Sequence, residues 1–379
     1  MKFFEDFVGQ KIKQGQIVCG DTFVCERTID GSAFILCDGI GSGAYANIAA
    51  ICCASRLHEL LKNGISLRAA AEMTAASMHK AREAEIPFSA FSVALILPDG
   101  RFTLYTYESP EPVVILNGSA TVLKPDFYTA GYEVIGKVSG TLDIGDSLLL
   151  CSDGITQAGM GHGLNMGIGS QGLAHFINRQ PVDAQGIRDL PATVLAMAAS
   201  VSGGRYEDDS TFAVLHCREA SQLTMMTGPP SLASRDAVYV ADFMAMPCAK
   251  VVCGSTTAEI VARELKREVK MVKVGSSFGS PPEYYMEGID LTTEGAVMLN
   301  QVYNILGESA DSFEGGVVER LAAMLTAVDV IHFFLGAGTN VAHTGLLFKQ
   351  IGVMPRKKTL RLLAEKLKAM GKLVTEKQY

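Results

Sequence analysis

Four short stretches of this 379-residue chain carry residue types suited to chemistry: Gly20-Asp21, Asp38-Gly-Ile-Gly-Ser-Gly43, Ser152-Asp-Gly-Ile155 and Asp208-Asp-Ser-Thr211. Each sets an aspartate beside the end of an expected strand. Carboxylates gathered at strand tips repel one another unless basic side chains or cations neutralise them. No Lys or Arg lies within the four motifs, so cations are favoured. With no His or Cys at ligand spacing, an all-oxygen set selects hard ions, Mg²⁺ or Mn²⁺, over zinc. Two such ions about 3.5–4 Å apart would make a bridging water hydroxide-like near neutral pH and screen a phosphoryl group, the requirements of direct phosphate-ester hydrolysis. Asp-Gly at a strand end is also a common turn signal, and any one motif by itself reads as a turn. Four in this order do not.

The elements that must position these aspartates are legible in outline. Ala33–Cys37 and Ser147–Cys151 are short apolar runs, each delivering an acidic residue at its tip as a buried strand would. Between them, Ala46–Leu61 and Leu67–Glu83 carry apolar residues at helical spacing, with Gly64 and Ser66 as stop and start signals. Phe91–Leu97 and Phe102–Tyr107 flank a Pro-Asp-Gly-Arg turn, and Val113–Leu116 and Ala120–Leu123 flank Asn117-Gly, so two hairpins are expected. A glycine-rich stretch after Gly159, with Pro181 and Pro191 beyond it, reads as loop with one or two helices, and Thr211–His216 as a last strand. The glycine after Asp38 lets backbone approach an ion, and Gly41 and Gly43 allow a tight turn before the helix that follows.

Bulk properties narrow the function classes. A hydrophobic fraction of 48% against 19% charged residues argues for globular structure throughout, and 379 residues imply two domains. A net charge of -7 without a long basic block argues against nucleic acid and anionic membrane. No apolar run reaches membrane-spanning length, and Met1–Lys13 lacks the apolar core of a signal peptide, so a cytoplasmic location is expected. The nine cysteines form no CxxC pair and read as cytosolic thiols, mostly buried. Thr227-Gly-Pro-Pro-Ser is the best linker candidate, giving expected domains at residues 1–226 and 231–379, the second with an α/β alternation of strands and helices.

In the order of these motifs, residues 15 to about 217 resemble the bacterial branch of the metal-dependent protein phosphatases, the protein phosphatase 2C superfamily, and specifically the group named for stage II sporulation protein E. The Gly145-Asp-Ser-Leu-Leu-Leu-Cys-Ser-Asp-Gly run adds to the likeness. The resemblance implies an α+β architecture: a phosphatase 2C-like β-sandwich of two antiparallel sheets flanked by helices, here with a smaller C-terminal α/β domain. It further implies two divalent cations, Mn²⁺ or Mg²⁺, with Asp38 bridging both and Gly39 lending its carbonyl. Asp21 would serve one ion, and Asp153 and Asp208 the other, with Asp209 as the alternative to Asp208. Asp38 and Asp153 would carry catalysis. The implied reaction is hydrolysis of phosphoserine or phosphothreonine on a regulatory protein by a metal-activated water, without a covalent phosphoenzyme. Two features depart from the family pattern. Glu108-Ser-Pro-Glu-Pro112 stands where the bacterial group often has Ala-Gly-His-Asn-Pro, and no arginine shortly precedes Asp21 to grip phosphate.

A second function class remains: a phosphatase-like module that senses a metal or partner, with the C-terminal segment as its ligand-binding or output part. Gly254–Thr257 and Gly336–Asn340 each lie between an expected strand and helix, where backbone N–H groups favour a small anionic ligand. Ordinary N-capping by Ser255, Thr256 or Thr339 explains the same residues more simply. His332, inside an apolar strand, reads as a satisfied core histidine, and His343 follows the glycine loop. Arg356–Lys372 reads as an amphipathic helix with Leu360, Leu363 and Leu367 on one face.

Overall fold

Strands β3 (Gly31–Gly39), β4 (Ser89–Ile96), β10 (Ser147–Cys151) and β11 (Ser210–Glu219) are apolar on both faces, and the alternation of a strand sends successive side chains to different cores. Phe34 and Leu36 of β3, Ala94 and Ile96 of β4, Leu148 and Leu150 of β10, and Ala213 and Leu215 of β11 meet in one cluster. This cluster is the filling between two sheets. The intervening residues Ile35, Cys37, Phe91 and Val93 pack outward against helices α1 (Ala44–Lys62) and α2 (Leu67–Glu83). On the opposite side Leu149, Cys151, Phe212 and Val214 pack against α3 (Asp153–Thr156), α4 (Gly169–Ile177) and α5 (Ala184–Val201). The result is helices, sheet, sheet, helices.

The computed structural model describes residues 1–273, 281–308, 316–338 and 354–379. These fall into two units, residues 1–26 with 30–219 and residues 27–29 with 220–379. In the first unit a five-stranded sheet runs β1 (Lys2–Lys11), β11, β10, β6 (Val113–Leu116), β7 (Ser119–Val122). A six-stranded sheet runs β2 (Asp21–Thr28), β3, β4, β5 (Arg101–Tyr107), β9 (Glu133–Thr141), β8 (Asp126–Ala130). The pairings β1–β11, β10–β11, β3–β4 and β4–β5 are antiparallel, as the family resemblance implies. The stretch expected as loop with one or two helices carries α4 and α5, with Pro191 inside α5.

The second unit is a seven-stranded sheet: β14 (Lys270–Lys273), β15 (Glu283–Tyr285), β16 (Leu291–Thr293), β13 (Ala249–Cys253), β12 (Gln222–Thr227), β17 (Val330–Leu335), β18 (Leu373–Gln378). From β16 to β18 neighbouring strands are parallel. Helices α6 (Asp236–Met244) and α7 (Ser255–Leu265) cover one face. Helices α8 (Ala296–Ile305), α9 (Val317–Ala327) and α10 (Arg356–Ala369) cover the other, and α10 buries Leu360, Leu363 and Leu367 as its spacing predicts. One expectation is corrected here: β12 precedes Thr227-Gly-Pro-Pro-Ser yet belongs to this sheet, so the division falls at Glu219/Ala220, not at residues 226–231. The Gly-Pro-Pro turn ends a strand of the second unit. His332 is satisfied in the core, with Nδ1 2.8 Å from Thr375 Oγ1 and Nε2 3.1 Å from Gln222 Oε1. No helix among the described residues is long and apolar enough to cross a membrane.

Candidate metal centre

The aspartates are brought together by the ends of four strands. Strand β3 runs to Gly39, whose N–H donates to the Gly20 carbonyl at 3.2 Å, laying the start of β2 and Asp21 beside Asp38. Gly39 is required by packing: a Cβ there would lie 2.0 Å from the Ala46 carbonyl oxygen in the first turn of α1. Ser89 Oγ donates to the Asp38 carbonyl at 2.8 Å, pinning the same strand end from β4. We expect Gly39→Ala to force α1 away from β3 and to cost about 3 kcal/mol in a denaturant titration, since backbone cannot yield as a flexible side chain can.

From the other sheet, β10 ends at Cys151 and turns through Ser152 into α3, which opens on Asp153. Ser152 N–H donates to the Thr211 carbonyl at 3.0 Å and Ser152 Oγ accepts from Thr211 N–H at 2.9 Å, tying the β10 tip to the start of β11. The Asp153 N–H donates to Asp38 Oδ2 at 3.3 Å, while Asp153 Oδ2 accepts from Gln157 Nε2 at 2.8 Å.

Asp208 and Asp209 have different work. Asp209 is buried, and its Oδ1 and Oδ2 accept from the N–H groups of Lys13 and Gly20, each at 2.9 Å. Both carboxylate oxygens are thereby engaged in fixing the segment that carries Asp21. Asp208 Oδ1 accepts from Asp209 N–H at 3.0 Å and lies 3.4 Å from Lys13 Nζ. Replacing Asp209 with Ala strands the buried Gly20 N–H and the half-buried Lys13 N–H, and we expect a loss of roughly 2–4 kcal/mol in unfolding free energy, read as a shift of the denaturant midpoint.

Electrostatics bind the group into one system. Burial pushes the Asp21 carboxyl up to about 6, with Asp209 adding repulsion. Thr211 and Ser152 hydroxyls are near enough to draw Asp21 down, but neither completes a hydrogen bond with it: both Asp21 oxygens are buried without a partner. Asp38 is pushed well above the carboxylate range by burial and then by Asp21 and Asp153. Burial and then Asp208 raise Asp153. Cys151, beneath them, is pushed up to about 12 by burial first, then by the charges of Asp153, Asp21 and Asp38.

Asp21, Asp38, Asp153 and Asp208 thus form a chain of neighbouring carboxylates. Among the described residues no three His, Cys, Asp or Glu side chains gather around one point, so the arrangement is a linked row, not a closed cage. It nevertheless fits hard cations: the donors are all oxygen, the charges of Asp21 and Asp153 oppose that of Asp38, and Asp21 offers two buried oxygens that no described residue satisfies. One sequence argument is corrected: Lys13 stands at Asp208, so basic partners are not wholly absent. Lys13 lies outside the motifs, as do Gln157 and Gln10, whose Nε2 donates to the Asp21 carbonyl at 3.1 Å. Lys11 pairs with Ser210 in the β1–β11 ladder, and continuing that register two residues sets Lys13 opposite Asp208. The partnership of chain start and β11 leaves no local signal.

In the C-terminal unit, Gly254 occupies the N-cap position of α7 and no side chain caps the helix, so the capping expected of Ser255 or Thr256 does not occur. Gly336–Gly338 follow β17. Thr339, Asn340 and His343 lie outside the described residues.

Comparison with known proteins gives a family model, stage II sporulation protein E, matching residues 30–218. No curated protein matches the chain. Among solved structures the chain is similar to the phosphatase domain of the cell fate determinant SpoIIE from Bacillus subtilis, at 19% identity over 57% of this chain and 93% of that one, with a TM-score of 0.47. The PP2C domain of SiaA from Pseudomonas aeruginosa matches at 19% identity over 56% and 85%, with a TM-score of 0.47. RsbX, solved in complex with magnesium, matches at 16% identity over 57% and 100%, with a TM-score of 0.41. Over residues 30–218 the chain belongs to the stage II sporulation protein E family and carries a serine/threonine phosphoprotein phosphatase domain of the metal-dependent 2C type.

Proposed function

We propose that the N-terminal unit hydrolyses phosphoserine or phosphothreonine on a cytoplasmic bacterial regulatory protein, using two divalent cations, Mn²⁺ or Mg²⁺, held by its row of aspartates. The observation that carries this reading is Asp21: a buried carboxylate with both oxygens unpartnered among the described residues, at one end of a row in which burial raises Asp21, Asp38 and Asp153 and the charges of Asp21 and Asp153 raise Asp38 further. Divalent cations, when bound, supply positive charge that activates water and screens a phosphoryl group. Asp21, Asp38, Asp153 and Asp208 would hold them, with the Gly39 carbonyl as a further oxygen. Because the carboxylates form a row, side-chain rotations would gather them as ions bind.

The remaining residues have supporting tasks. Asp209 anchors the segment from Lys13 to Gly20 and so fixes Asp21; this division of labour favours Asp208 over Asp209 as the ligand. Lys13 tempers the charge on Asp208. A cysteine nucleophile is disfavoured: Cys151 and Cys19 are pushed up to about 12, and Cys37 well above its usual range, chiefly by burial, so all three are neutral thiols at physiological pH. Attack by water, without a covalent phosphoenzyme, is consistent with that.

The test is a Mn²⁺ titration of the full chain, with metal uptake followed calorimetrically and phosphate release measured from a phosphoserine peptide. Turnover that rises with site occupancy and vanishes with chelator is expected. Uptake of ions with no turnover on any phosphopeptide would leave only the sensing-module reading.

A further inference from the structure

The parallel core of the second unit has the spatial order β16, β13, β12, β17, β18, while the chain visits β12, β13, β16, β17, β18. The connections therefore leave the carboxyl ends of β12 and β17 in opposite directions and open a crevice between them, the place where doubly wound sheets take ligands. Family similarity ends at residue 218 and says nothing of this crevice.

Three observations point to what it holds. Arg356, the first residue of α10, lies against the turn after β12, where a Cβ on Gly228 (φ +81°) would be 1.7 Å from Nη1. Its Nη2 donates to the carbonyls of Gly336 at 2.8 Å and Gly338 at 3.0 Å, at the end of β17. Nε and Nη1 have no partner, and no carboxylate pairs with this arginine, among the described residues. Burial drives its pKa down, so the unpaired charge is held at a cost that an anion would relieve.

Second, Thr227, the last residue of β12, is 1% exposed and its hydroxyl has no hydrogen-bond partner among the described residues. By strand alternation it shares a sheet face with Leu223 and Met225, the face on which α10 packs. Third, the Gly228 N–H donates to Thr257 Oγ1 at 2.8 Å, joining this turn to the first turn of the uncapped, 11-residue helix α7.

From these we infer a second, non-catalytic site: the crevice binds the oxyanion of a small ligand, a phosphate or carboxylate group, through Arg356 Nη1 and the Thr227 hydroxyl, beside the N-terminus of α7. An arginine whose Nη2 is held by two backbone carbonyls keeps its charge and its Nη1 donors in one fixed direction, which favours an oxyanion placed there.

The experiment is calorimetric titration of the full chain in EDTA with pyrophosphate and, separately, with malonate. Saturable binding of pyrophosphate alone assigns phosphate recognition, and of malonate alone carboxylate recognition; either supports the site. Arg356→Lys, which keeps charge but loses the planar group that the two carbonyls hold in place, is expected to weaken binding about tenfold or more. Thr227→Val, which keeps shape and removes an unsatisfied hydroxyl, is expected to weaken it about fivefold with an unchanged or higher melting temperature. No binding of either anion by the parent protein overturns the inference, as does parental affinity in both variants. The Thr227→Val arm guards against misreading an unfolded arginine variant.

Discussion

Asp38→Ala is expected to lower Mn²⁺-dependent hydrolysis of p-nitrophenyl phosphate by about 10³-fold or more, equivalent to roughly 4 kcal/mol of transition-state stabilisation. Asp38 is the central member of the row, with Asp21 on one side and Asp153 on the other both raising its pKa. Its removal takes away the ligand that both ions would share. The fold should survive, because a buried carboxylate repelled by two neighbours opposes folding and its loss relieves them. A parental melting temperature with collapsed turnover is the expected pair of results. Parental turnover in the Asp38→Ala protein would sink the mechanism, since no other residue spans the two halves of the row.

The second large effect concerns Asp21 and has an unusual sign. Burial raises its folded-state pKa to about 6, above the ordinary aspartate value of 3.8, so the native protein binds a proton more readily than the unfolded chain. The stability linked to that proton is fully present below about pH 4 and is lost as pH rises through about 6. Metal-free protein should therefore resist denaturant better at pH 5 than at pH 7.5 as far as this group is concerned. Asp21→Asn should raise metal-free stability at pH 7.5 by roughly 1–3 kcal/mol and flatten the profile between pH 4 and 6. The same substitution should erase most of the stabilisation that saturating Mn²⁺ confers on the parent, because binding to the native state alone is what produces it. Denaturant midpoints at two pH values, with and without Mn²⁺, check all three statements. A variant less stable than the parent without metal, yet equally stabilised by Mn²⁺, would show that Asp21 serves the fold and not an ion.

Gly39 and Asp209 mark how function and packing share residues here. Gly39 is expected to lend a carbonyl to an ion, and it also passes so close to Ala46 that no side chain fits. Asp209 belongs to an acidic motif yet spends both oxygens on backbone donors. Substitutions at either would lower activity through the scaffold, so stability must be measured beside turnover before either is given a chemical role.

The sequence by itself determined the elements whose signals are local. Strand β10 and helix α2 were legible to the residue, from an unbroken apolar run and from helical spacing begun by Ser66. The Asp-Gly tips of β3 and β10 and the Asp-Asp before β11 announced an acidic site, because strand ends and turn residues follow from nearest-neighbour chemistry. Tertiary structure alone decided which of those acids are free to act. Asp208 and Asp209 are adjacent and chemically identical, and only the approach of Lys13 and Gly20, some 190 residues away in the chain, occupies one and leaves the other accessible. The domain boundary was misplaced for the same reason: Gly-Pro-Pro looks like a linker locally, and only strand pairing shows that β12 already belongs to the second sheet. Arg356 gave no signal either, reading as one charge on an amphipathic helix until the fold set it against Gly228. Local sequence fixes conformation through contacts a few residues long, whereas burial, charge partnership and register are settled by segments that meet only when the chain is folded.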